Sequence, residues 1–200
     1  MTQQVGAFSG LRVLDLTEGF AGALATMVFA DNGAAVVRAV APDADQHDPA
    51  VAAAGFRQWH RSKDVRVLDV NEAADRATID HLAGEADVIV ATAGAVVVGE
   101  RDLTGAEWPD DDSGTIRCLI DAVGDHPTLR GVPAHSSVVH ALSGRMVDYG
   151  RTFKRKRPVY VAPPLAEFAA GMAAVHGIGA ALHERERTGR GQLVRTSLLR

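Results

Sequence analysis

The sequence predicts an open, mostly parallel α/β sheet flanked by helices, followed by a stretch dominated by long helices. Three observations carry this. Short apolar runs with β-branched residues recur at 11–16 (LRVLDL), 35–40 (AVVRAV) and 86–91 (ADVIVA). The first two bracket an Ala-, Leu- and Met-rich segment, 21–31, with Gly33 just past its end. Strand, helix and strand at that spacing make a crossover unit, which implies parallel pairing. After residue 134 the pattern lengthens, and 165–187 reads as one Ala/Gly-rich helix.

The remaining elements follow in order. Residues 41–60 read as a long loop with Pro42 and Pro49. Loops of that length in a compact domain are functional or disordered. Residues 64–70 (DVRVLDV) alternate like a strand, and Asn71 is the expected N-cap of a helix reaching about Gly84. Residues 114–120 (GTIRCLI) predict a further strand, after a loop at 108–113. The Gly/Pro-containing stretch 121–134 reads as a loop, 136–146 as a helix, and 147–164 as irregular and basic. Gly189 or Gly191 is available to stop the long helix, and QLVRTSLL then begins a strand-like run. The boundary falls at 134/135: residues 1–134 form the sheet domain, and 135–200 a mainly helical continuation of it.

Composition narrows the function classes. Apolar residues make up 46% and charged residues 23% of 200, as in a soluble globular chain. No uninterrupted apolar stretch suggests a bilayer span, and MTQQVGAFSG lacks the basic start and apolar run of a signal peptide. A cytoplasmic chain without membrane contact is the expectation. A net charge of -4 argues against broad nucleic-acid binding, with the basic run at 151–157 (RTFKRKR) as the local exception. One cysteine, Cys118, excludes an internal disulfide framework. Among the scattered histidines only His176 and His183 share a helical spacing, seven apart, and they read as packing or surface residues, so no metal is expected. Gly19 and Gly22 lack the spacing of a dinucleotide fingerprint, so no NAD is expected.

Five segments in order resemble the family III CoA-transferases, which include formyl-CoA and carnitine CoA-transferases and α-methylacyl-CoA racemase. They are GLRVLDLTEGFAGALATMVFADNGAAVVRAVAP, RSKDVRVLDV, ADVIVATAG, HSSVVHALSG and PPLAEFAAGMAAVHGIGAALHERERTGRGQLVRTSLL. The resemblance implies a Rossmann-like, CoA-binding first domain. It also implies that this chain is the N-terminal half of a divergent member, ending before the family's smaller C-terminal domain. Two interlocked subunits, or a partner chain supplying the other half, are implied as well.

The site residues come from the same resemblance. Glu167 stands where the family carries a nucleophilic aspartate. In a transferase that carboxylate attacks an acyl-CoA, and CoA passes to a carboxylic acid by way of an enzyme thioester. His135 matches the histidine that works opposite that carboxylate in the racemase branch, where Ser136 replaces an aspartate. Arg38, Arg61 and Lys63 match basic positions expected to contact CoA phosphates, a task suited to guanidinium and ammonium groups. Three readings therefore stand together: a CoA-transferase using Glu167, a racemase pairing His135 with Glu167, and a non-catalytic CoA-binding or oligomer-forming remnant. The segments that would choose an acyl group carry no legible signal.

Overall fold

The computed structural model describes residues 6–42, 56–93, 97–98, 101–102, 114–124, 126, 128–129 and 131–199. In chain order the elements are β1 (Arg12–Leu16), α1 (Gly19–Asp31), β2 (Ala35–Val40), α2 (Phe56–Trp59), β3 (Asp64–Val67), α3 (Ala73–Glu85) and β4 (Val88–Thr92). They continue with β5 (Val97–Val98), β6 (Arg101–Asp102), β7 (Ile116–Asp121), α4 (Ser136–Leu142), α5 (Arg145–Thr152), α6 (Leu165–Thr188) and β8 (Leu193–Ser197). Six strands form one sheet in the order β3-β2-β1-β4-β7-β8. Every pairing in it is parallel. β5 and β6 form a separate antiparallel pair.

Burial follows the strand period of two. Val13 points into one core, built with Phe29 of α1 and Ala174 and Ile178 of α6. Leu14 and Leu16 point into the other, built with Ile79 of α3. The sheet is thus covered on both faces, which is why β4 is buried at all five positions rather than alternating. The order in which strands are added reverses between β1 and β4, and ligands of open α/β sheets bind beyond the carboxyl ends of the strands at such a point.

The long helix α6 precedes β8, which is parallel to β7. It therefore starts at the carboxyl end of the sheet and finishes at the other. By length and mean hydropathy it matches a membrane span, contrary to the expectation from sequence, because it is rich in alanine and larger aliphatic residues. It packs instead along α1, β7 and β8. Gly171 makes that approach possible: a Cβ there would lie 2.6 Å from the backbone oxygen of Ala21. Gly189 closes the helix, its N–H donating to the Arg185 carbonyl at 2.8 Å.

Three boundaries differ from the sequence expectation. The helix predicted over 136–146 stops at Leu142, because Gly144 adopts φ +75°, a left-handed conformation that glycine tolerates and an α-helix does not. A second helix then fills 145–152, where irregular chain was expected from 147 onward. The N-cap position of α3 is Glu72, not Asn71, whose N–H and side-chain amide both donate to Asp69 Oδ1 in a local turn. β3 ends at Val67 rather than residue 70. The long loop predicted over 41–60 holds the short helix α2 at Phe56–Trp59; its residues 43–55, and the loop at 108–113, lie outside the described residues.

Candidate active site

The first turn of α6 follows Pro163 and Pro164, which cannot continue a helix backwards. Glu167 is the third residue of the helix, where a negative side chain meets the positive end of the helix dipole. It is only 3% exposed. Its Oε1 accepts from the backbone N–H of Ser136 at 2.6 Å, and its own N–H donates to Ser136 Oγ at 3.4 Å. Oε2 is enclosed and has no hydrogen-bonding partner among the described residues. One oxygen of a buried carboxylate is therefore fixed while the other is unengaged, an orientation suited to attack on an electrophile placed beside it.

Ser136 opens α4, and His135 is its N-cap. The His135 ring is exposed, and its Nδ1 accepts from the Ser137 N–H at 3.2 Å. His135 and Glu167 are thus brought together through one intervening residue, with the imidazole on the solvent side and the carboxylate inside. One helical turn beyond Ser136 lies His140, 5% exposed, its Nδ1 enclosed without a partner. Tyr149 of α5 packs edge-on against its ring, centroids 5.7 Å apart.

The three expected phosphate ligands lie elsewhere. Parallel register sets Arg38 of β2 directly beside Asp15 of β1. The Arg38 guanidinium lies 3.4 Å from the fully buried Asp15 carboxylate. Lys63 reaches the same carboxylate at 3.3 Å and also donates to Thr26 Oγ1 and the Ala23 carbonyl. The hydroxyls of Thr17 and Thr26 each donate to Asp15 at 2.6 Å. Burial alone would raise the Asp15 carboxyl; the two cations and two hydroxyls more than offset it and hold it well below the usual carboxylate range. Lys63 is itself lowered, because burial and Arg38 together outweigh the pull of Asp15. His60, 3.4 Å from Lys63, is pushed down from 6.5 to about 3, first by burial and then by Arg38 and Lys63. Arg61 stands apart at the end of α1, its guanidinium forked onto Asp31.

The cluster holds one carboxylate against two cations, and it sits where β1 turns into α1. There Glu18 N–H donates to Thr92 Oγ1 at the end of β4, joining the two loops that flank the order reversal. Sequence reasoning overlooked Asp15, although a lone acid inside LRVLDL is the signal: a charge in a buried strand requires a partner. Ser136 registered only as a departure from an expected aspartate. His140 was readable as the residue four after Ser136, but nothing marked it as buried.

The CoA-transferase family III model matches residues 8–200. This chain belongs to that family. A succinyl-CoA:mesaconate CoA-transferase of Haloarcula hispanica is 32% identical over 97% of the chain, and a formyl-CoA:oxalate CoA-transferase of Streptomyces avermitilis is 30% identical over 96%. The chain spans about half the length of these curated relatives, 52% and 48% respectively. The crystal structure of Rv3272 from M. tuberculosis superposes on 97% of the chain and 54% of its own length, with a TM-score of 0.77 and 26% identity. The family III match and the half-length coverage agree with the resemblance of these residues to the N-terminal half of a family member.

Proposed function

We propose that this chain carries the nucleophile-bearing half of an enzyme that moves CoA from an acyl-CoA to a carboxylic acid, with Glu167 as the nucleophile. The observation that carries the reading is the asymmetry of the Glu167 carboxylate, one oxygen tied to the Ser136 N–H and the other buried without a partner.

The chemistry balances on that group. Oε2 attacks the acyl carbonyl, the carbon–sulfur bond breaks, and CoA leaves as thiolate. The thiolate attacks the glutamyl carbonyl of the resulting anhydride, which releases the donor acid and leaves a glutamyl-CoA thioester. The acceptor carboxylate attacks that thioester, forming a second anhydride and freeing CoA thiolate. Attack of the thiolate on the acceptor's acyl carbon yields the new acyl-CoA and restores Glu167. Because Oε1 is held by a backbone donor, charge developing on the glutamyl carbonyl oxygen meets a pre-positioned N–H.

Arg38 and Lys63 are buried onto Asp15, so CoA phosphates would feel the positive charge of this cluster at a distance rather than touch it. Exposed Leu165 and Phe168 at the start of α6, and exposed Leu142, Val147 and Phe153 on and after α4 and α5, support a covering surface from a second subunit or a partner chain.

Incubation with succinyl-CoA, followed by intact-mass analysis, tests the reading. The expected result is a CoA thioester mapped to Glu167 and absent in Glu167→Gln. CoA binding without an adduct, together with exchange of the acyl α-proton in D₂O and no need for an acceptor, would favour the racemase pairing of His135 with Glu167. Absence of both CoA binding and adduct would leave the remnant reading.

A further inference from the structure

Two enclosed polar atoms without partners among the described residues flank the junction of α4 and α6: Glu167 Oε2 and His140 Nδ1. Such atoms are rare, because each forgoes its hydration without compensation. Their common location is set by helix geometry. Ser136, whose N–H holds Glu167, and His140 are four residues apart on α4, hence one above the other on one face. Both are buried, so that face turns inward, and α4 packs against α6. Tyr149 fixes the His140 ring from the other side. The main-chain carbonyl of His140 accepts from Ser143 Oγ at 3.4 Å.

We propose that His140 is a specificity-determining residue, whose Nδ1–H binds one carboxylate oxygen of the acceptor acid beside Glu167. This deepens the transferase reading and rests on it. That reaction brings a second carboxylate up to Glu167, and like charges there repel. A neutral or cationic donor beside Glu167 offsets the repulsion and leaves the acceptor's other oxygen to attack the glutamyl thioester. Arg38 and Lys63 are already engaged by Asp15, and the His135 Nδ1 by Ser137. The ring of His140 is pre-positioned, so little ordering is needed when the acid binds.

Two variants separate this role from packing. Leucine fills the site but has no donor, and asparagine restores an N–H near the Nδ1 position. Steady-state transfer from succinyl-CoA to oxalate should show the oxalate KM raised by about tenfold or more in His140→Leu, the size of one lost charged hydrogen bond. The succinyl-CoA KM should be unchanged, and His140→Asn should recover most of the loss. An unchanged oxalate KM in His140→Leu overturns the proposal, as does a parallel rise in both KM values that asparagine does not rescue. A titration of ¹⁵N-histidine-labelled protein with oxalate needs no turnover. A shift of the His140 Nδ1 resonance that is lost in His140→Leu supports the assignment. A Glu167 adduct without such a shift defeats the assignment alone, whereas a shift without an adduct defeats the transferase reading and leaves His140 as a carboxylate-binding residue.

Discussion

Ser136 and Glu167 clasp each other reciprocally: the N–H of each donates to the side-chain oxygen of the other, at 2.6 and 3.4 Å. The shorter bond uses a main-chain donor, so most side-chain substitutions at Ser136 leave it intact. Proline is the exception. Position 136 is the first residue of α4 and follows an extended His135, both compatible with proline. Ser136→Pro should fold, lose about 1–3 kcal/mol through the stranded Oε1, and lose adduct formation at Glu167. Ser136→Ala should lose about 0.5–1.5 kcal/mol and keep the adduct. Urea denaturation with intact-mass analysis reads both.

Asp15 balances two buried cations, so its neutralisation strands them. Asp15→Asn should cost about 3–5 kcal/mol in denaturant titrations, the usual consequence of removing one partner from a buried ion pair. Arg38→Met removes a cation and leaves Asp15 paired with Lys63, so its cost should be smaller.

The same cluster sets the acid response. His60 is lowered from 6.5 to about 3, so between those values the unfolded chain binds the proton and the folded chain does not. Stability should therefore fall as pH drops from about 6.5 towards 3. Asp15 is also lowered, so its contribution is complete above its ordinary value of 3.8 and fades as pH falls below that. Urea midpoints measured from pH 7 downward should decline in two overlapping limbs. His60→Gln should flatten the upper limb and spare the lower.

Gly171 touches a backbone atom, which cannot swing aside. Gly171→Ala gains helix propensity but forces α1 and α6 apart, and overpacking of this kind costs about 1–3 kcal/mol. The expected outcome is a lower Tm by calorimetry. Gly179→Ala, where an added methyl meets nothing within 4 Å, should hold or raise it.

Cys118 is fully buried, and burial pushes its thiol up to about 12. The thiolate is the reactive form, so an aromatic disulfide reagent should label Cys118 only after urea unfolding. Prompt labelling of the native chain would show that β7 opens.

Much of this architecture was legible because the sheet is parallel and buried. Its strands at 12–16, 35–40 and 88–92 are apolar runs separated by helix-length segments, and that rhythm survives in a single sequence. The break at Gly144 was not, since one glycine within a helical pattern reads equally as a tolerated weak point or as a stop. At the site, Glu167 was readable only through its neighbours in a recognisable segment, while its partner is a backbone N–H, which no side chain announces. Arg38 and Lys63 were legible as positions but not as occupants of a buried cluster, because Asp15 meets them through strand register and a loop 48 residues away.

The long helix is tethered at both extremities. Near its start Glu167 is latched to Ser136, and near its end the Arg185 guanidinium grips Asp87 and the Gly114 carbonyl, before β4 and β7. Those anchor points are about 27 Å apart along a helical rod. The position of the Glu167 carboxylate is thus gauged from the opposite edge of the sheet, like a bolt set by a bracket at its far end. Loosening Arg185 should blur the aim of Glu167 without touching anything near it.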